Sequence, residues 1–480
     1  MQKIDSYISR HFHKIFWILS GSFFVLYLMQ VGGDTIWTDE AYSFAMVKHS
    51  FSEIWTITAA DVHPPIYYWY LKILTAPFHY SLLAAQIASI LPYLFILIFG
   101  GIQIKKYFNE KTAILFMVMF FCFPFAMSYS VEVRMYSLAS ACVFACAVFA
   151  YRFWLEHGRW KDMTGLVVSG VLAAYSHYFA FVSICMIYGL LLFAIAASKD
   201  SLLIKKWLLS VVISIILYAP WLSSFINQLV YKVNNEYWIG EITVRTLLGY
   251  LDGLFGLPGF PAGASVLYSL LFSVAYLACF VWTLRSKEKR EIILCICCLL
   301  IPVGTLTVGV VASILVRPVF VIRYLAPSVP LLVTFMAIVL GKANNDTLFC
   351  GVLCVVLMGG ISNYGFTVYS KHTNQNYLPI KEYHDVDAYI VIDQPHVCGT
   401  LGYYVTDKSI YYGNKPSAAN PYPNRAALAD FNCDTVDCAI MLLNVGETPP
   451  DEYDSIYYVE YLGQWKCEEN TDAYLLTKKP

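Results

Sequence analysis

The chain has 480 residues, 58% of them hydrophobic and only 14% charged, where soluble globular proteins carry about 25% charge. Its 32 Lys and Arg nearly balance 33 Asp and Glu, for a net charge of −1. That composition excludes a disordered chain, a disulfide-knotted secreted domain and a nucleic-acid binder, and leaves a protein that crosses a membrane many times.

A helix needs roughly 20 apolar residues to span a bilayer. Runs of that kind fall near 14–31, 80–103, 111–130, 135–151, 163–178, 180–197, 207–227, 264–284, 292–315, 319–341 and 347–368. The stretch 163–197 is unbroken, too long for one span and short for two, and reads as two short helices meeting at Ser-His-Tyr-Phe. The count is about 11. From Tyr369 onward the apolar runs stop, and 8 Lys and Arg face 16 Asp and Glu, net −8. Residues before it hold 24 against 17, net +7. The expected architecture is therefore an all-α polytopic membrane domain over 1–368 and a water-soluble domain over 369–480. In the latter, AYIVIDQ, SIYYG, CAIMLLN and IYYVEYLGQW read as strands with turn signals between them, an α/β or α+β domain.

Orientation follows from the basic residues. The N-terminus and alternate short loops hold 17 Lys and Arg, and the opposite loops of the membrane domain hold seven. This puts the N-terminus in the cytoplasm of a plasma membrane and the acidic tail outside it. The first span has a basic front but no small-residue cleavage site, as in a retained anchor. Of 14 Cys, ten lie in or beside apolar runs; Cys398, Cys433, Cys438 and Cys467 lie in the tail, where four Cys allow two disulfides in three connectivities.

Ionisable residues at a membrane edge are costly and so are functional candidates. Asp34, Asp39, Glu40, Asp61 and His63 all fall in the long external segment 32–78, Glu132 and Arg134 at the next external turn, His177 at the one after, and Arg317 and Arg323 near the last. All project to one side. In the long segment, Thr38 or Asp39 can open a helix, and Pro64 disfavours helix at His63, so Asp61 and His63 sit in an extended turn. Such carboxylates suit group transfer, one taking a proton from an acceptor hydroxyl while nearby arginines hold an anionic leaving group. The rival readings are structural: Asp39 and Glu40 as helix caps, Asp61 and His63 satisfying a turn, His177 hydrogen-bonded in the core, Glu132 and Arg134 in an internal ion pair, Arg317 and Arg323 snorkelling.

TDEAYS, DVHPPIYYW, YSVEVRMYSL, SHYFAF and VIRYLAPSVPLL, in that order over residues 34–335, resemble the motifs of GT-C membrane glycosyltransferases. The similarity is to the branch of the protein O-mannosyltransferases and aminoarabinose-type lipid A transferases. The resemblance implies an inverting transfer of a sugar from a polyprenyl-phosphate donor to a hydroxyl of a cell-envelope glycan, lipid or protein at the outer membrane face. It implies catalytic roles for Asp39, with Glu40 beside it, and for Asp61, and phosphate binding by Arg134 and Arg323. His63, Tyr67, Glu132, Tyr136, His177, Tyr178, Arg317 and Tyr324 would complete the substrate contacts. Some relatives hold a divalent metal, for which Asp61, His63 and His177 are the matching positions. Here Asp-Val-His precedes the proline pair where the aminoarabinose-type relatives have Glu-Lys. A transporter or lipid flippase is the alternative, although such proteins place their charges near the midplane on paired repeats; a non-catalytic scaffold leaves the one-sided cluster unexplained.

Overall fold

A computed structural model describes residues 2–32, 36–231, 239–285, 288–342, 346–373, 382–383, 385–466 and 470–480. They form two compact units: residues 1–31, 63–67 and 83–370, and residues 32–62, 68–82 and 371–480.

The first unit is helical. It begins with α1 (Gln2–Leu28); after α2 (Thr38–Lys48), α3 (Phe51–Ala60) and most of α4 (Ile66–Thr75), which belong to the second unit, come α5 (Leu82–Tyr107), α6 (Glu110–Phe121) and α7 (Pro124–Ser128). There follow α8 (Tyr136–Leu155), α9 (Trp160–Ala174), α10 (Tyr178–Ser198), α11 (Ser201–Tyr231) and α12 (Val244–Phe255). The bundle ends with α13 (Ala262–Thr283), α14 (Lys289–Leu315), a 3₁₀ segment Ile322–Ser328, α15 (Val329–Lys342) and α16 (Asp346–Thr373). With α6–α7 and the 3₁₀ segment–α15 each taken together, the described helices follow the apolar runs of the sequence. Eight of them are long and apolar enough to cross a membrane; α1, α6–α7 and α9 are not among these. The run 163–197 breaks at Tyr175–His177, where the sequence placed its junction. The run 111–130 breaks at Phe123, because Pro124 opens a new helix at its first position.

Packing is organised around α15, whose residues Val329–Gly341 are all buried, with α6, α8, α13 and α14 around it. At its end Gly341 lies against Thr112 of α6, where a Cβ would collide with the threonine hydroxyl. By contrast α11 presents Leu208, Val212, Ile215, Ile216 and Leu229 outward. So broad an exposed apolar surface belongs against lipid rather than water.

In the second unit, the tail forms β1 (Ala388–Val391), α17 (Pro395–Tyr404), β2 (Ser409–Tyr412), β3 (Arg425–Ala426), β4 (Cys438–Asn444), α18 (Asp451–Asp454), β5 (Tyr457–Lys466) and β6 (Asn470–Lys478). The sheet order is β3-β2-β1-β4-β6-β5. β1 pairs in parallel with β2 and β4, and β4 and β5 pair antiparallel with β6. The central strands are apolar on both faces, as strands covered on both sides must be: Ile440 and Leu442 of β4 join one core with Val397 and Leu401 of α17, and Ala439, Met441 and Leu443 join another. The domain is thus α/β in its first half with an antiparallel edge. Cys438 packs toward the first of these cores and Cys433 toward the second, and the tail cysteines among the described residues, 398, 433 and 438, are free thiols. Cys467 lies outside the described residues.

Candidate active site

Three short turns of the first unit meet. The Pro64–Pro65 turn delivers His63 and starts α4, and there the Ile66 N–H donates to the Tyr175 carbonyl at 3.2 Å, joining it to the turn before α10. In that second turn His177 caps α10, its Nδ1 accepting from the Phe179 N–H at 3.1 Å. The third turn precedes α8: the Arg134 N–H donates to Glu132 O at 2.8 Å, and the Arg134 side chain, only 3% exposed, donates through Nη2 to His63 Nε2 at 2.8 Å. His63 is therefore an acceptor on that nitrogen, in its neutral form.

The 3₁₀ segment brings Arg323 and Tyr324 to the same place. Tyr324 packs its ring 4.9 Å from that of His177, and Tyr136, at the start of α8, lies 5.8 Å from His177 on another side. Arg323, Arg134 and His63 lie within electrostatic reach of His177, while Tyr136 feels both arginines and Glu132. A hydrogen bond from Ser140 Oγ of α8 to Ala326 O, 2.9 Å, fixes the 3₁₀ segment. Prolines shape it too: Pro327 has no N–H to give a regular helix. Two arginines against one carboxylate give this partly buried cluster a net positive charge, with aromatic walls, an arrangement that suits a phosphate.

Among the residues expected from sequence, His63, Glu132, Arg134, Tyr136, His177, Arg323 and Tyr324 thus come together. Tyr67 is fully buried in the first turn of α4, just after the His63 turn. Two others have contacts of their own. The Tyr178 hydroxyl is engaged by Gln228 Oε1 and by Trp221 Nε1 of α11, and Arg317 closes α14 with its N–H on Ala312 O. Tyr129, which the sequence reading passed over within YSVEVRMYSL, belongs to the cluster: its ring lies 5.2 Å from Tyr136, and it feels Glu132 and Arg323.

The second unit holds Asp39, Glu40 and Asp61. Asp39 is the second residue of α2, partly exposed, and Glu40, 1% exposed, accepts from the Trp37 N–H at 3.4 Å, capping the helix. Asp61 ends α3, its N–H on Ile57 O and Thr58 O. Asp34 lies outside the described residues. Among the described residues no three His, Cys, Asp or Glu side chains gather as a metal site. At His63 one ring nitrogen, Nε2, already accepts from the Arg134 cation, and at His177 Nδ1 accepts from the Phe179 N–H. Asp61, His63 and His177 are thus not gathered as a metal site among the described residues.

Residues 62–223 match the family model described as dolichyl-phosphate-mannose-protein mannosyltransferase. The comparison with curated protein sequences returns no match. Among solved structures the fold is similar to that of ArnT from Cupriavidus metallidurans bound to undecaprenyl phosphate, with TM-score 0.63 and 12% identity over 96% of this chain and 97% of that one. The apo form of the same protein gives TM-score 0.60 over the same shares of both chains, again at 12% identity. The archaeal oligosaccharyltransferase AglB from Archaeoglobus fulgidus, in complex with an inhibitory peptide and a dolichol-phosphate, is more distant: TM-score 0.44, 9% identity, 90% of this chain and 69% of that one. The resemblance carried by the motifs is thus met by a mannosyltransferase family model over residues 62–223 and by a fold like that of ArnT over nearly all of the chain.

Proposed function

We propose that the protein is a membrane glycosyltransferase that moves a sugar from a polyprenyl-phosphate donor to a hydroxyl of a cell-envelope glycan, lipid or protein, at the extracytoplasmic face of the plasma membrane. The observation that carries this reading is the partly buried Arg134–His63–His177–Tyr324 cluster with Arg323 beside it, inside a fold shared with a protein crystallised with undecaprenyl phosphate.

In the reaction, Asp39 accepts the proton of the acceptor hydroxyl as its oxygen attacks the anomeric carbon from the face opposite the phosphate. The bond from that carbon to the phosphate oxygen breaks, and configuration inverts. The lipid phosphate leaves as an anion, so it needs charge stabilisation rather than a general acid. Arg134 and Arg323 supply that charge, their forks matching phosphate oxygens. His63, accepting from Arg134, holds the guanidinium in place. Glu40 caps α2, leaving Asp39 as the reacting carboxylate, while Asp61 orients the acceptor.

The test is sugar transfer by purified protein in detergent from a panel of labelled polyprenyl-phosphate sugars with envelope acceptors, beside Asp39→Asn. Turnover by the wild type, lost about 10³-fold or more in the variant while lipid-phosphate binding persists, supports the reading, since a positioned base contributes 10²–10⁴-fold. Equal turnover in both removes Asp39 from the mechanism. A flippase needs a sealed bilayer and consumes no donor in detergent, so movement of lipid in vesicles without transfer would replace this reading with the other.

A further inference from the structure

We infer that α17, in the C-terminal part of the chain, sets the position of Asp39, so that the soluble tail is a positioning element of the transferase rather than an appendage. The inference rests on the reading of Asp39 as base.

The helix that carries Asp39 does not hold itself. α2 has 11 residues, a length at which an isolated helix is marginal in water. Its place is therefore set by what it packs against, and residues of the tail grip it at its start. Thr38 Oγ1, immediately before Asp39, donates to the His396 carbonyl at 2.8 Å. The Ile36 N–H points to the Tyr404 hydroxyl at 3.4 Å, and the rings of Phe44 and Tyr403 lie 4.9 Å apart. Beyond the far end of α2, a His49 ring nitrogen bonds the Pro421 carbonyl at 2.8 Å.

The two faces of α17 divide the work. Val397, Cys398 and Leu401 enter the core of the sheet. His396, Gly399 and Tyr403, spaced three and four apart on another face, meet α2. Gly399 is where the fit is closest: a Cβ there would stand 2.8 Å from Thr38 Cγ2, nearer than side-chain carbons approach, so any larger residue moves Thr38. Asp39 is thus bracketed by Thr38, tied to α17, and Glu40, tied back to the Trp37 N–H. A displacement of about 1 Å at a reacting group can cost 10²-fold in rate, and the contacts of α17 are those that would set such a displacement.

The experiment uses full-length protein in detergent and measures kcat, KM for the lipid donor, and the dependence of kcat on pH, for Thr38→Val, Thr38→Ser and Gly399→Val beside Asp39→Asn. Rates are normalised to the fraction that binds lipid phosphate, so that misfolded protein does not count. Thr38→Val, near the same size without the hydroxyl, is expected to lower kcat by about 10-fold with KM for the donor unchanged and with the rising limb of the pH profile displaced. Thr38→Ser, which keeps the donor, restores kcat. Gly399→Val follows Thr38→Val, and if it does not fold, the Thr38 pair decides. Wild-type kcat in Thr38→Val, with Asp39→Asn inactive, overturns the positioning role and leaves the base reading standing. Full activity in Asp39→Asn overturns the base reading, and this inference with it.

Discussion

Arg134 is the side chain on which most of the partly buried cluster depends. It is 3% exposed, and its guanidinium donates through Nη2 to His63 Nε2. A lysine there would keep the charge but lose the planar fork, which makes Arg134→Lys informative. We expect a loss of about 10-fold or more in affinity for lipid phosphate, read by titration calorimetry in detergent, with little change in fold. Arg134→Ala is a poorer probe, because removing one partner of a buried charged group carries the desolvation penalty of what remains. The sequence leads to the expectation of Arg134 on the outer side and leaves its partner open, offering an internal salt bridge or a phosphate. The structure gives a histidine as one partner, a pairing no spacing rule reports, since His63 and Arg134 lie 71 positions apart.

At the level of elements, the close crossing of α6 and α15 depends on Gly341 meeting Thr112. Gly341→Val inserts a branched side chain where no space exists. We expect it to cost about 1–3 kcal/mol, the range for overpacked sites, visible as a lowered thermal midpoint in detergent that Thr112→Gly partly restores. The same crossing explains what could be read in advance and what could not. Hydropathy located the apolar helices because each run carries its own signal, and CAIMLLN fell on β4 from end to end because a strand buried on both faces is a continuous apolar run. It did not find α17, whose PHVCGTLGYY is short, glycine-bearing and half strand-like, and which is a helix because its two faces are covered by different neighbours. Nor did it find β6, whose pairing with β4 supplies the regularity that NTDAYLLTK lacks alone. Within VIRYLAPSVPLL the run continues through residues that form a 3₁₀ turn, and only the prolines hint at the change.

Over the whole molecule, charge and apolar surface give separate predictions of how the chain meets the membrane. From the bias of 17 against seven Lys and Arg in alternate loops, the tail is expected outside the cell and the start of α16 inside. A membrane-impermeant maleimide on intact cells is then expected to label Cys433 of the tail, which is partly exposed, and to reach Cys350 near the start of α16 only after the membrane is broken. Cys398, also in the tail, should react far more slowly than Cys433. It is buried at 3% exposure, and burial pushes its thiol up to about 11 against only a slight pull from Arg425. The sign is that of a neutral group favoured by the fold: its contribution to stability is complete below the ordinary thiol value near 9 and is lost as pH rises through 11. Reversed labelling of Cys433 and Cys350 would invert the topology.

The hydrogen bond between Thr38 and His396 joins residues 358 positions apart, and that separation has a meaning in time. At about 5–20 residues per second, a ribosome that has delivered Thr38 needs on the order of 20–70 s to deliver its partner. Throughout that interval most of the helical bundle is already being inserted, while the segment bearing Asp39 waits without the surface that holds it. A nascent chain therefore lacks the contact of α17 with the start of α2 until His396 has been made. On the reading of Asp39 as base, a chain interrupted before His396 is expected to show no more than the lowered kcat of Thr38→Val.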